Sequence, residues 1–214
     1  ETLDFLARHR LLLMGDRGRN LWLSPVLQRI VYRRQARDRL SVRHARAASH
    51  FLTNGEPLAA AQHFVQARQW LAAATLLLES AQELIDEMQV DELCRTLDAF
   101  TADQLSPDLW RDTRLLLSDL LAETGRHDDA LAACRQALQV ATDAGDQARI
   151  YRRMGKLYEK HNQLHALNYY QQAIDLLKTG DPELVRLLKD RAWLHILRQE
   201  WIEAEADLAA AQNR

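Results

Sequence analysis

The sequence predicts an all-α fold built from pairs of antiparallel helices, with one small β-hairpin near its start. Seven glycines and four prolines in 214 residues leave few positions for tight turns, and a chain that is 47% hydrophobic and 27% charged is long enough to bury a core. Three segments in the second half of the chain align with one another, and helix-starting or helix-stopping residues lie between them. These observations favour helical repeats over sheets.

The three aligned segments begin near Gly125, Asn162 and Gln199. An alanine recurs in them at positions 137, 173 and 211, at spacings of 36 and 38 residues. This period is close to the roughly 34 residues of a tetratricopeptide repeat, which is a pair of antiparallel helices. We therefore predict a tetratricopeptide-like right-handed superhelix, with regular repeats over residues 106–214. The alternative is that helices rich in alanine and leucine align through composition alone.

Each predicted second helix carries a small residue followed four positions later by a larger one. A small residue lets two helices approach closely, and the larger one is expected to fill a groove on the neighbouring repeat. The pairs are Ala130 with Cys134, Ala166 with Tyr170, and Ala204 with Leu208. Gly155 holds the small packing position of the first helix in the middle repeat. Helix boundaries are predicted at Ser106-Pro107, Gly145-Asp146 and Gly180-Asp181-Pro182.

Residues 41–105 are predicted to form degenerate helical repeats. A fourth copy of the template spacing includes small and aromatic positions at Ala48, Phe51, Gly55, Ala60, Phe64 and Ala67. Two shorter and less regular helical pairs are expected after it, one around Trp70–Leu77 and one around Val90–Leu97.

Residues 1–40 differ from the repeats and resemble the closing part of a winged-helix domain. Short apolar runs on both sides of a Gly-containing turn predict a β-hairpin over residues 10–24, and Ser24-Pro25 predicts a helix over residues 25–40. Residues 1–46 carry eleven arginines against four acidic residues, whereas the remaining 168 residues carry a net charge of −9. Arg17 and Arg19 at the hairpin tip could contact phosphates, or this basic face could dock on a neighbouring domain. The docking role is favoured over direct DNA contact, because a recognition helix is missing.

The order of hairpin, short helix, degenerate helical pairs and regular repeats resembles the signal-transduction ATPases of the MalT-like class, large LuxR-type regulators. The stretches that carry this resemblance are Leu23–Leu27, Ala60–Phe64, Trp70–Leu78 and Asp91–Phe100. The resemblance implies an ATPase module before this segment, a DNA-binding helix-turn-helix after it, and repeats that sense an inducer or a regulatory protein. Because the chain begins without a methionine, we expect a fragment of such a longer polypeptide.

Residues for catalysis or cofactor binding are not predicted. Gly15 and Gly18 lack the lysine of a phosphate-binding loop, so no ATPase activity is assigned to this segment. Cys94 and Cys134 are read as small core residues, and His161 with His165, although four residues apart, spans a predicted turn and is not expected to bind a metal. We expect no catalytic residue, metal or cofactor, and a cytoplasmic location, because there is neither a signal peptide nor an apolar span.

A basic groove is predicted on the concave face, where first helices of such repeats point inward. Its expected members are Arg149, Arg152, Lys156, Lys160, Arg186, Lys189 and Trp193. Such a groove could bind an acidic peptide, a phosphorylated ligand or the carboxylates of another domain, whereas the alternative is a solvated helix face. Reversing the charges of Arg152 and Lys189 is expected to abolish binding without loss of helicity.

The sequence therefore predicts a non-catalytic sensor and scaffold segment of a multidomain transcriptional regulator. Its expected partners are an effector ligand or a protein or peptide that could be acidic, and the flanking domains of the same polypeptide, with no membrane contact. The alternative is a stand-alone adaptor that mediates protein–protein interactions. An upstream phosphate-binding loop or a downstream helix-turn-helix in the full-length sequence would distinguish the two.

Overall fold

The computed structural model describes residues 12–14, 21–23, 37–178 and 180–212. Those residues contain two short strands and eleven helices, and they separate into two compact units at residues 69 and 70. The helices are α1 Arg37–Thr53, α2 Pro57–Gln66, α3 Trp70–Glu79, α4 Ala81–Asp86, α5 Val90–Asp98, α6 Pro107–Glu123, α7 His127–Val140, α8 Ala144–Tyr158, α9 Gln163–Leu176, α10 Pro182–Leu197 and α11 Trp201–Gln212. The predicted all-α fold class is confirmed.

The first unit contains the hairpin strands and one helical pair. Strands β1 (Leu12–Met14) and β2 (Leu21–Leu23) pair in antiparallel register within the predicted hairpin, with Leu13 opposite Trp22. Arg17 and Arg19 lie outside the described residues, as does most of the helix predicted over 25–40. Helix α1 crosses the predicted domain boundary between residues 40 and 41, and continues as the first helix of the predicted fourth repeat copy.

Helices α1 and α2 are joined by a tight turn at Gly55, whose positive φ of 73° favours glycine. Proline begins α2, where its missing N–H costs no hydrogen bond. Ala48 and Ala60 are both completely buried, so small residues lie at the positions where the template expects close packing. The helical pair predicted from this spacing is therefore present.

The second unit begins with three helices rather than the two pairs expected from the sequence. Helices α3 and α4 are separated by a single residue, Ser80, and α5 stands without a second helix of its own. Residues 99–106 form turns instead, and α5 packs on α6, the first helix of the regular repeats. Leu93 and Leu97 of α5 are fully buried, so this irregular part still contributes an apolar core.

Three regular pairs follow, α6 with α7, α8 with α9, and α10 with α11. Ser106 and Asp181 cap α6 and α10, as predicted, because each side chain accepts a hydrogen bond from a backbone N–H of the first turn. The cap of α8 is Asp143 rather than Gly145-Asp146, since its carboxylate accepts from the N–H groups of both those residues, at 2.9 and 3.2 Å. The helix therefore starts two residues earlier than the glycine indicated.

The predicted close approach occurs where α8 crosses α9. A Cβ placed on Gly155 would lie 2.5 Å from a ring carbon of Tyr170, which is fully buried. In the preceding pair, Ser118 occupies the small position and its hydroxyl lies 3.1 Å from the Cys134 sulfur. Cys94 and Cys134 are both buried with free thiols, which confirms their reading as core residues.

The last pair departs from the packing expected of it. Leu208 occupies the position of Cys134 and Tyr170, and was expected to fill a groove on a neighbouring repeat. It is 40% exposed, because no described helix covers it. Among the described residues, no helix is both long enough and apolar enough to cross a membrane.

Candidate interaction groove

The first helices of the three regular repeats, α6, α8 and α10, share a surface with two adjoining hollows. One hollow, of about 370 Å³, lies between α6 and α8, and the other, of about 360 Å³, extends across α8 to α10. We call this surface the first-helix groove. Its lining residues are Arg111, Asp112, Leu115, Leu116, Asp119, Asp146, Arg149, Arg152, Arg153, Lys156, Glu183 and Arg186.

Ion pairs join α6 to α8 along the groove. A guanidinium nitrogen of Arg111 lies 2.7 Å from the carboxylate of Asp146, and Arg153 makes two hydrogen bonds to Asp119, at 3.0 and 3.1 Å. The bidentate geometry of the second pair fixes both side chains, because a planar guanidinium matches the two oxygens of a carboxylate. Each pair links residues about one repeat apart, so the ion pairs define the spacing of the helices.

Arg152 joins α8 to α10 through two carboxylates. Its guanidinium lies 2.5 Å from Asp190 and 3.1 Å from Glu183, a residue whose side chain is only 8% exposed. Burial by itself lowers the pKa of Arg152, but the hydrogen bonds and charges of Asp190 and Glu183 outweigh it and raise the pKa above its usual value. Lys156 adds a longer contact to Asp190, at 3.7 Å. The side chain of Arg152 therefore stabilises the contact between α8 and α10.

Two arginines in the groove remain open to solvent. Arg149 of α8 and Arg186 of α10 are 61% and 66% exposed, and each bonds only to a carboxylate three residues earlier on its own helix, Asp146 and Glu183. The two arginines are 37 residues apart and hold equivalent positions in consecutive repeats. The carboxylates of Asp146 and Glu183 also pair with Arg111 and Arg152, so the two exposed guanidinium groups can exchange their partner for an incoming anion.

The structure brings together four of the seven predicted groove residues. Arg149, Arg152, Lys156 and Arg186 line the hollows, whereas Lys160 lies in the turn after α8, and Lys189 and Trp193 lie on α10 outside both hollows. The expected basic character is also reduced, because the lining holds six basic and four acidic residues. Arg111 and Arg153, together with their acidic partners, were not predicted as members of the groove. Opposite charges one repeat length apart were the signal that could have identified them.

A larger cavity, of about 500 Å³, lies between α5 and the α6–α7 pair. Cys94 lines it, but burial raises the pKa of that thiol, which disfavours the nucleophilic thiolate. Beneath it the guanidinium of Arg114 is almost fully buried, donates to the carbonyl oxygen of Leu97, and lies 4.3 Å from the ring centre of Trp110. The hydrogen bond to Leu97 joins α6 to α5, whereas Trp110 lies on the same helix as Arg114. Within the described part of the chain, no three His, Cys, Asp or Glu side chains converge as a metal site.

The comparison with protein families identifies the repeats. A tetratricopeptide-repeat family model matches residues 112–179, which run from α6 through α9. Repeats of this family generally act as scaffolds rather than catalysts, in agreement with the prediction that the chain is not an enzyme. No curated protein sequence matches the chain significantly.

Several solved structures share the fold of this chain. The crystal structure of MamA is 15% identical with a TM-score of 0.56, over 78% of this chain and 92% of that one. MamA from Desulfovibrio magneticus RS-1, from residue 41 to its end, is 15% identical with a TM-score of 0.52, over 83% and 96% of the two chains. YrrB, described as a TPR protein with an unusual peptide-binding site, is 12% identical with a TM-score of 0.54, over 89% and 92%. At these identities the likeness concerns the fold alone.

Proposed function

We propose that this chain is a non-catalytic sensor and scaffold segment of a multidomain, bacterial-type transcriptional regulator in the cytoplasm. In this proposal it binds an effector or an acidic partner segment in the first-helix groove. Residues 1–40 would be the end of a winged-helix domain, 41–105 degenerate repeats and 106–214 the regular repeats. ATPase and DNA-binding activities would belong to flanking domains of the same polypeptide.

The exposed pair of Arg149 and Arg186 is the observation that carries the binding proposal. Both arginines lie at the same position of consecutive first helices and line the hollow that extends from α8 to α10. Arg149 also lines the hollow between α6 and α8, which contains the apolar side chains of Leu115 and Leu116. An extended partner segment with carboxylates spaced to reach both guanidinium groups would form charge-assisted hydrogen bonds. An apolar residue on the α6 side of the carboxylate that binds Arg149 would contact the leucines, so the groove favours an acidic segment with flanking apolar residues.

A stand-alone adaptor is the second candidate function. The likeness to YrrB, whose description names a peptide-binding site, favours it as much as it favours a regulator segment. The full-length sequence distinguishes the two. An upstream phosphate-binding loop together with a downstream helix-turn-helix would support the regulator, and the absence of both would overturn it in favour of the adaptor.

Groove binding is tested by reversing the two exposed arginines. We expect Arg149→Glu with Arg186→Glu to weaken binding of a fluorescein-labelled peptide of alternating glutamate and leucine by about 100-fold, roughly tenfold for each lost charge-assisted contact. Fluorescence anisotropy measures the affinity. The unfolding midpoint should stay close to that of the unmodified protein, because both side chains are exposed and pair only within their own helices.

Arg126→Glu is the matched control for these substitutions. Arg126 is the residue just before α7; it is 59% exposed and pairs with Asp129 in the first turn of that helix, so it too makes a local ion pair, but it lies outside the groove. The control variant should bind the peptide as the unmodified protein does. Equal loss of affinity in Arg126→Glu would mean that the peptide responds to overall charge, and unchanged affinity in the double variant would place the binding site elsewhere.

A further inference from the structure

The cavity of about 500 Å³ between α5 and the α6–α7 pair has an apolar interior and a charged rim. Four side chains of its lining, Cys94, Leu117, Leu121 and Ala133, are each at most 7% exposed. The volume lies within the range of about 300–1,000 Å³ that is typical of small-molecule sites. The cavity is therefore large enough and apolar enough to bury most of a small ligand.

The equivalent space in the next repeat, between α7 and α9 over α8, is filled by aromatic rings. Tyr158 of α8 and Tyr169 of α9 stack with their ring centres 5.6 Å apart, and both pack against the apolar cluster formed by α7 and α8. The same positions one repeat earlier, 37 and 36 residues before them, hold Leu121 and Ala133. Both of these smaller residues line the cavity. The cavity thus lies where the following repeat places two tyrosine rings, and an aromatic ring fits it.

The α5 side of the rim offers one carboxylate and one guanidinium to a ligand. Asp91 and Arg95 are exposed, lie one turn apart on α5 and line the cavity. The Nε of Arg95 donates to the backbone carbonyl oxygen of Asp91, at 3.2 Å. Within the described part of the chain, the terminal nitrogens of Arg95 and the carboxylate of Asp91 have no partner.

The other carboxylates of the rim already face cations. Asp98 lies 3.5 Å from a guanidinium nitrogen of Arg114, and Asp129 lies 2.6 Å from one of Arg126. A ligand would have to displace these partners to use either carboxylate. The charges that remain available are therefore of opposite sign and close together, which matches a ligand that carries both an ammonium and a carboxylate group.

We propose that this cavity binds a free aromatic amino acid or a closely related aromatic zwitterion. The ring occupies the space beside Leu121 and Ala133, the ammonium group donates to Asp91, and the carboxylate accepts from Arg95. Recognition requires all three features of the ligand at once. The site shares no lining residue with the first-helix groove and does not depend on the function proposed for that groove.

The first test compares L-phenylalanine with analogues that each lack one feature. We expect saturable binding of L-phenylalanine by isothermal titration calorimetry. L-alanine lacks the ring, 3-phenylpropionate lacks the amine and 2-phenylethylamine lacks the carboxylate, so each should bind at least about tenfold more weakly. An analogue that binds as tightly as L-phenylalanine, or no saturable binding of L-phenylalanine at about 10 mM, would overturn the proposal.

Charge-neutral variants assign each end of the ligand. Asp91→Asn should weaken L-phenylalanine by about tenfold and leave 3-phenylpropionate unchanged, because that analogue has no ammonium group to lose a partner. Arg95→Gln should weaken L-phenylalanine similarly and leave 2-phenylethylamine unchanged. Both positions are exposed, so the fold should be retained. If either variant bound L-phenylalanine as the unmodified protein does, the proposed contacts would be wrong.

Filling the cavity gives an independent test. Ala133→Tyr introduces the ring that Tyr169 supplies in the next repeat, and it should abolish binding of L-phenylalanine while circular dichroism shows a folded helical protein. Ala206→Tyr is the control, since Ala206 is an exposed alanine of α11 outside the cavity, and it should bind normally.

Normal binding by folded Ala133→Tyr would contradict the proposal. If that variant unfolds, the exposed variants of Asp91 and Arg95 decide the question. The double variant Arg149→Glu with Arg186→Glu should bind L-phenylalanine normally, which separates this test from that of the groove.

Discussion

Replacing Tyr170 with alanine is expected to lower the free energy of unfolding by about 3–5 kcal/mol, the range typical for removing a buried aromatic side chain. The ring is fully buried and contacts the face of α8 at Gly155. It also lies in one apolar cluster with Leu187 and Leu194 of α10, so it joins the second repeat to the third. Its hydroxyl donates a short hydrogen bond to Glu159. Denaturant unfolding followed by circular dichroism measures the loss.

The close contact with Gly155 allows a sharper form of this test. Gly155→Ala in the unmodified protein should lower stability by about 1–2 kcal/mol, because the new methyl group would overlap the Tyr170 ring and the cost of overpacking exceeds the gain in helix propensity. In the Tyr170→Ala background the overlap disappears. The same Gly155→Ala change should then raise stability by up to about 1 kcal/mol, the propensity gain alone.

Tyr170→Phe serves as the control, since it keeps the ring and removes only the hydroxyl. Its expected loss is about 1 kcal/mol, the usual value for one hydrogen bond. If Gly155→Ala had the same effect with and without the Tyr170 ring, the two residues would be uncoupled and the close approach of α8 and α9 would not depend on glycine.

The helical pairs were predictable because local sequence determines them. Small residues must recur where two helices cross, and Ser, Asp, Pro and Gly begin or end helices through their own backbone and side-chain chemistry. Gly155 could therefore be assigned to the small packing position of its repeat from spacing alone, whereas its contact with the Tyr170 ring was not predicted. Asp143 was missed as a cap because the glycine that follows it was taken for the boundary, although a glycine inside the first turn is compatible with a helix.

The groove was predicted less accurately, since its charges depend on contacts between helices. The repeat template indicates that Arg152 and Lys156 lie on the inward side of α8, but not that Glu183 and Asp190 lie opposite them. Asp119 and Arg153 lie one repeat length apart. Their ion pair could have been predicted only by comparing the charges of consecutive repeats. The exposure of Leu208 was missed for a related reason, because the template assumes that a neighbouring repeat is present.

Reversing the charge of Arg152 is expected to destabilise the fold rather than to act on binding alone, in contrast to the expectation from sequence. The guanidinium neutralises Glu183, which is nearly buried, and Asp190, which is 20% exposed. Arg152→Glu would place three carboxylates together between α8 and α10. Removing one partner of a buried ion pair costs about 3–5 kcal/mol, so we expect a loss of at least about 3 kcal/mol, measured by thermal and denaturant unfolding.

Arg149→Glu is the matched control, because Arg149 lies three residues away on the same helix, is 61% exposed and, among the described residues, pairs with Asp146 of its own helix alone. It should change the unfolding free energy by less than about 1 kcal/mol. Equal stability of the two variants would show that Arg152 does not hold α10 against α8. A second change, Glu183→Arg in the Arg152→Glu background, should recover part of the loss, since it restores opposite charges between the helices. Such recovery would identify the ion pair, rather than the packing of the arginine stem, as the source of the stability.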